Sequence, residues 1–195
     1  MNSKILFNSP DFKRPIPDLE QYSTPPDLAF EIIKKVNSAG NLSGKIADLG
    51  CGTGRLSIAA ALLGANVTGF EIDEEALNIA KEYSEKNKLE ITWINQAIEG
   101  INEAFDTVIM NPPFGSQRPG ADKIFLEKAM NIATHIWTIH LSETRKFIEK
   151  VVDKNNCEIM ELYEFDYPLK NTMAFHTKEA KIENAILYHI ASLPK

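Results

Sequence analysis

Cysteine is scarce in this 195-residue chain. Cys51 and Cys157 stand alone, without the spacing of a disulfide framework or a metal clip. Such a pair reads as two reduced packing residues of a cytoplasmic protein. Long apolar runs are missing as well. None reaches the roughly eighteen residues that a membrane helix needs. The N-terminal stretch MNSKILFNSPDFKRPIPDLE has no apolar core followed by a small-residue cleavage site, so no secretory leader is expected. There is no excess of positive charge: Lys and Arg number 21 against 27 Asp and Glu, a net charge of -6. That balance excludes a protein gripping nucleic acid over its whole surface. A local basic patch, or basic surface borrowed from a partner, remains open. Internal repeats and low-complexity segments are absent.

What is present is an ordinary globular composition, 44% hydrophobic and 25% charged. It suits a single domain over residues 19–195 behind a Pro-rich, irregular arm over 1–18, in which Lys13 and Arg14 are a solvated tail or a nucleic-acid contact. Thr24-Pro25 opens a helix that ends near Gly40, with Ile32, Ile33 and Val36 at helical spacing and Thr24 as a candidate cap. Short apolar runs then alternate with helical patterns. Strands are expected at 45–50, 66–72, 91–96, 105–110 and 136–141, and helices at 55–63, 73–88, 122–133 and 142–152, the last capped by Ser142. Such alternation implies a mostly parallel sheet with right-handed crossovers and helices on both faces. Two last strands, 157–163 and 182–190, have no helix between them and pair antiparallel around a long loop. The architecture is α/β: a seven-stranded, Rossmann-like sheet with an antiparallel last strand.

The first strand runs into Gly50-Cys51-Gly52-Thr53-Gly54 and a helix. Glycines let backbone approach a ligand, and a helix start offers free N–H groups. Glu71 and Asp73 end the second strand about twenty residues on, where an acid reaches ribose hydroxyls. The dinucleotide pattern G-x-G-x-x-G is not met, because Ser57 lies beyond the last glycine. Asp48, two residues before the loop, would repel a pyrophosphate and welcome an ammonium. These electrostatics favour S-adenosylmethionine, which has no phosphate, over NAD.

The fourth strand ends in Asn111-Pro112-Pro113-Phe114-Gly115. The two prolines hold Asn111 and Pro112 extended at the carboxyl rim, where open α/β sheets bind ligands. The Asn111 side-chain carbonyl, the Pro112 backbone carbonyl and the Phe114 ring together make a receptor for a flat group bearing NH2. The loop Gly115–Gly120 could close over it, with Arg118 placed for a phosphate. A strand-ending Asn-Pro turn is the plainer reading of the same residues.

Together, Asp48 to Gly54, Glu71 and Asn111 to Phe114 resemble the class I S-adenosylmethionine-dependent methyltransferases, in particular the branch that methylates amino groups of adenine, guanine or glutamine. Adding Glu20-Gln21-Tyr22-Ser23-Thr24-Pro25 and Phe175-His176, the chain is similar to the methyltransferase-like protein 5 family, adenine-N(6) methyltransferases of small-subunit ribosomal RNA. The resemblance implies that Gln21, Tyr22, Thr24, Asp48, Gly50, Gly52, Thr53, Glu71, Ile72, Ile98 and Asn111 bind the cofactor. It implies that Asn111, Pro112, Pro113 and Phe114 hold the reacting group, and that Phe114, Arg118, His176 and Lys178 meet RNA. It implies no metal in this chain and a partner, a small zinc-binding methyltransferase activator protein. Where the family has an acid for the cofactor's adenine amine, this chain has Ala97, leaving Ile98 to pack on adenine. An exposed apolar edge strand, Ile91 to Gln96 with Trp93 in it, would receive the partner. Methylation of a protein glutamine or of guanine, and a non-catalytic cofactor-sensing RNA-binding factor, are the alternatives.

Overall fold

The computed structural model describes residues 3–169 and 181–193. Among the described residues the α-helices and strands follow in the order α1 (Ser3–Phe7), α2 (Pro26–Ser38), β1 (Lys45–Leu49), α3 (Arg55–Ala61), β2 (Asn66–Glu71), α4 (Glu74–Lys86), β3 (Ile91–Asn95), β4 (Phe105–Met110), α5 (Ala121–Ile132), β5 (Ala133–Leu141), α6 (Arg145–Lys154), β6 (Cys157–Leu169) and β7 (Lys181–Ser192). The sheet order is β3-β2-β1-β4-β5-β7-β6. Parallel pairing joins β3 through β5, and β7 runs antiparallel to both β5 and β6. The expected architecture is therefore the observed one, with the third strand at an edge.

Alternating side chains along the strands feed two cores, one on each face. Val108 and Met110 pack with Ala47, Leu126, Ile136 and Ile148 beneath α5 and α6. Ile109 points the other way, with Ile33, Ile46, Ile58 and Trp137 beneath α2 and α3. Strand order reverses direction between β1 and β4, and the carboxyl ends of these neighbours part there to leave a crevice.

The structure departs from expectation in four places. Residues expected to be an irregular arm begin with α1, whose Leu6 is fully buried in the second core. A five-residue helix is little more than one turn and leaves no periodic signal. Ser142 does not cap α6; it opens a single 3-10 turn, and the helix begins at Arg145 behind Thr144. Thr24 does not cap α2 either, because Pro25 holds the N-cap position without a side-chain bond. Lastly, β6 extends six residues past the expected end at Tyr163, so residues 164–169 belong to a strand rather than a loop. The alternation Tyr163, Phe165, Tyr167 was the signal for that extension.

The edge strand also differs in character. Trp93 turns back onto its own chain: its indole N–H donates to Ser84 Oγ at 3.0 Å, and its ring lies where a Cβ on Gly54 or Gly69 would come within 2.5 Å. Ile91 and Ile94 are half-buried against the two cores. The apolar side chains of β3 are thus largely satisfied, and what stays open is its backbone edge.

Candidate active site: a two-part cleft at the sheet's switch point

The turn after β1 passes over the crevice on left-handed glycines. Gly50, Gly52 and Gly54 have φ of 66°, 55° and 83°, a region costly for other residues. A Cβ on Gly50 would lie 2.9 Å from the Phe125 ring, and one on Gly52 would lie 2.6 Å from that of Phe12. Glu71, at the end of β2, holds the turn in place. Its Oε2 accepts the Gly52 N–H at 2.8 Å, and its Oε1 accepts the N–H groups of Ile72 and Asp73. Burial pushes its carboxyl above the usual range. Each oxygen keeps lone-pair capacity.

The crevice has two parts. The larger is an open cleft of about 950 Å³ including its mouth, walled by Phe70, Glu71, Ile72, Ile98 and Phe125. That is room for a nucleoside-sized ligand. Ile72, an apolar side chain, is 56% exposed there. The smaller part is lined by Thr24, Asp48, Gly50, Gly52, Thr53 and Asn111. Phe12, Tyr22, Gly50, Gly52 and Asn111 border both. Acids predominate: Asp18, Glu20, Glu71 and Glu99 face the larger part, whose one cation among the described residues is the exposed Arg118. Asp48 is almost wholly buried, with Oδ2 accepting from the Ser57 N–H (3.0 Å) and hydroxyl (2.6 Å). Desolvation raises its carboxyl to about 7, against the opposing pull of the Ser57 bonds.

Asn111 stands at the junction. Its Nδ2 donates to Thr24 Oγ1 at 3.1 Å and to the Tyr167 hydroxyl at 2.9 Å. Its Oδ1 is buried and has no partner among the described residues. A buried acceptor left open in this way signals a missing donor. Thr24 therefore braces Asn111. The Thr53 hydroxyl donates to the Pro10 carbonyl, so it ties down the arm while lining the smaller cavity. Gln21 borders the cleft with its amide anchored on one side: Oε1 accepts the Ile16 N–H and Nε2 donates to Asp73 Oδ2, both at 2.7 Å, which leaves one N–H and one lone pair. Phe114 sits beside the cavity wall rather than in it, edge-on to Tyr167 at 5.8 Å between ring centres. His176 and Lys178 lie outside the described residues.

Four residues of the site escaped the sequence reading. Glu20, buried and in a left-handed conformation, accepts the N–H groups of Phe114 (2.9 Å) and Gln117 (2.7 Å), pinning the loop after Asn111. Phe12 brings the arm over Gly52. Arg55 donates to Ser9 Oγ and to the carbonyls of Ser9, Pro10 and Thr24. Tyr167 reaches Asn111 from β6. Only Glu20, next to the Gln21 motif, had a sequence signal.

This sheet order, glycine turn and rim asparagine define a class I methyltransferase, an enzyme that takes its methyl group from S-adenosylmethionine. The chain belongs to the methyltransferase small domain family, which it matches over residues 28–154, and to the group of its METTL5 relatives. The zebrafish (Danio rerio) rRNA N(6)-adenosine-methyltransferase METTL5 is 37% identical over 179 residues, 87% of this chain and 86% of that protein. A crystal structure from Pyrococcus horikoshii, described as a candidate RNA methyltransferase, superposes with a TM-score of 0.90 at 34% identity, over 98% of this chain and 97% of that one. Magnesium protoporphyrin IX methyltransferase from Synechocystis, solved with bound S-adenosylmethionine, shares the fold at 20% identity (TM-score 0.69, 85% and 79% covered).

The cleft fits that cofactor. Its acidic walls oppose phosphates and suit an ammonium and a sulfonium. Gly50 and Gly52 line both parts of it without side chains to fill them. Its apolar patch at Ile72, Ile98 and Phe125 suits an adenine face.

Proposed function

We propose that the protein methylates the exocyclic amino group of adenine in RNA, small-subunit ribosomal RNA in particular, in the cytoplasm. The observation that carries this reading is the buried, partnerless Asn111 Oδ1 at the junction of the two cavities. The METTL5 relatives, named as rRNA N(6)-adenosine methyltransferases and matching most of the chain, support the same substrate. Against glutamine methylation, the release factor glutamine methyltransferase of Flavobacterium psychrophilum matches over 75% of this chain but 59% of its own length.

The cofactor supplies an already activated methyl group. The protein's task is then to position and desolvate. Asp48 would hold the cofactor's ammonium, Glu71 its ribose, and Ile72 and Ile98 its adenine. An aromatic amine is a weak nucleophile because its lone pair is drawn into the ring. Asn111 Oδ1 and the Pro112 carbonyl would accept its two N–H bonds, turning the lone pair out of the ring plane and toward the methyl donor. Phe114 would stack on the base, worth about 1–3 kcal/mol. The base must leave any duplex to reach a rim site, so a flipped or single-stranded adenine is the substrate. Arg118, at the cleft mouth, would meet a backbone phosphate. Incubating unmodified ribosomal RNA with labelled cofactor should give label at one adenine as N6-methyladenine. Label on guanine or on protein alone would reject the reading.

A pH dependence follows from Asp48. In the folded protein its carboxyl titrates at about 7, above its ordinary 3.8. An ammonium needs the carboxylate, so cofactor affinity is nearly full above about pH 8 and falls about tenfold between about pH 8 and pH 6. Folding has the opposite sign. Between about pH 7 and 4 the folded state binds a proton that the unfolded state does not, so the cofactor-free protein gains stability as pH falls through that window. Titration calorimetry and thermal melts across pH 5.5–8.5 check both slopes, and the Asp48→Asn variant should flatten them.

A partner adding a strand to β3 fits the same reading. The sheet has two open edges. The β6 edge is guarded by Glu158, Glu161, Glu164 and Asp166, whereas β3 (ITWIN) carries no charge. A small zinc-binding methyltransferase activator docking there should raise the melting temperature, and a charged substitution at the exposed Thr92, Thr92→Lys, should abolish that gain. An unchanged melting temperature with saturating partner removes the proposal.

A further inference from the structure

We propose that Tyr167 is a positioning residue that fixes which way round the Asn111 amide sits, so that the site presents only a hydrogen-bond acceptor to the incoming amine. This rests on the amine-methylation reading above. A primary amide has two N–H donors and one acceptor oxygen. Here the donors are counted out inside the protein. One goes to Thr24 Oγ1 and one to the Tyr167 hydroxyl, and Oδ1 alone is left over, buried and unbonded. Asparagine by itself does not choose this orientation. A half-turn about its Cβ–Cγ bond would put NH2 where the oxygen now lies, and two N–H groups would then face the N–H bonds of adenine. The two hydroxyls could also donate to the oxygen, but that orientation would leave two N–H groups unpaired in place of one oxygen, and without the Tyr167 hydroxyl the two orientations would leave equal numbers unpaired.

Thr24 is held by its own chain, since Arg55 donates to its carbonyl at 2.9 Å. Tyr167 comes from the other end of the sequence. It is fully buried on β6, where antiparallel pairing with β7 sets Tyr167 opposite Glu183, and its ring stands edge-on to Phe114. The residue that orients the reactive amide thus also touches the ring expected to meet the base. Burial pushes its phenol up to about 12, so it stays neutral and the brace does not change with pH.

Tyr167→Phe keeps the ring and removes the oxygen. We expect turnover on RNA to fall about tenfold while KM for RNA and cofactor affinity stay within about twofold. In an Asn111→Ala background the same change should do nothing further, because there is no amide left to orient. A readout independent of activity is the Asn111 side-chain NH2 signal in NMR, assigned by its loss in Asn111→Ala. Its hydrogens should exchange slowly in the wild type and markedly faster in Tyr167→Phe. Wild-type turnover in Tyr167→Phe, an equal loss in the Asn111→Ala background, or unchanged NH2 exchange would each overturn the proposal. If the wild type methylates no RNA adenine, the substrate reading fails, and the NH2 exchange still decides the brace.

Discussion

Asn111→Ala should lower methyl transfer at least about tenfold, roughly 1.4 kcal/mol of barrier, with cofactor affinity nearly intact. The substitution removes the buried acceptor at the rim that has no partner among the described residues. It leaves Thr24 and Tyr167, which lose only a shared donor and can bond to each other, so the fold should survive. Loss of turnover without loss of binding is the signature of an interaction made in the transition state. Single-turnover transfer from labelled cofactor, beside calorimetric cofactor binding, separates the two. Equal turnover in the variant would remove Asn111 from the chemistry.

Arg55→Ala should have the largest effect on stability. Its guanidinium is buried and fastens three segments at once: the Ser9–Pro10 arm, the Thr24 carbonyl and the start of α3. Burial lowers its pKa without removing the charge. The alanine variant strands the buried carbonyls of Ser9 and Thr24, while that of Pro10 keeps the Thr53 hydroxyl, and the loss is partly offset by relief of the guanidinium's own desolvation. A net loss of about 3 kcal/mol is expected from the usual cost of unsatisfied buried groups. For a domain of this size that is a drop of about 6–12 °C in melting temperature. Because the arm carries Phe12 into the wall of both cavities, cofactor affinity should fall too, by more than in Asn111→Ala. Arg55→Lys should recover little, since a point charge cannot address carbonyls in several directions. A melting temperature within a degree of the wild type would show that the arm holds without the clamp.

These two residues mark how far the sequence could be read. Asn111 was legible because prolines and the end of an apolar run restrict the backbone locally, whatever the rest of the chain does. Gly50, Gly52 and Glu71 were legible for the same reason: a left-handed turn after a strand, and an acid at the end of the next, are features of short range. Arg55 was passed over as one more residue opening a helix, because nothing near it announces partners at Ser9 and Thr24. Trp93 was misjudged as an exposed edge residue, since the cavity it fills exists only where Gly54 and Gly69 come together. Phe114 was read without its neighbour Tyr167, whose strand continues further than its pattern suggested and sets the two rings edge-on.

The chain's own order of residues settled the element types, the ligand rim and the class of chemistry, since each depends on neighbours a few positions apart and on backbone rules that hold in any context. The fold alone decided what the reactive groups are attached to. Asn111 meets Thr24 and Tyr167 across 87 and 56 positions, and Glu20 meets Phe114 across 94. Contacts over such distances follow from strand order and register. Those are set by how the two cores pack, which no local pattern contains.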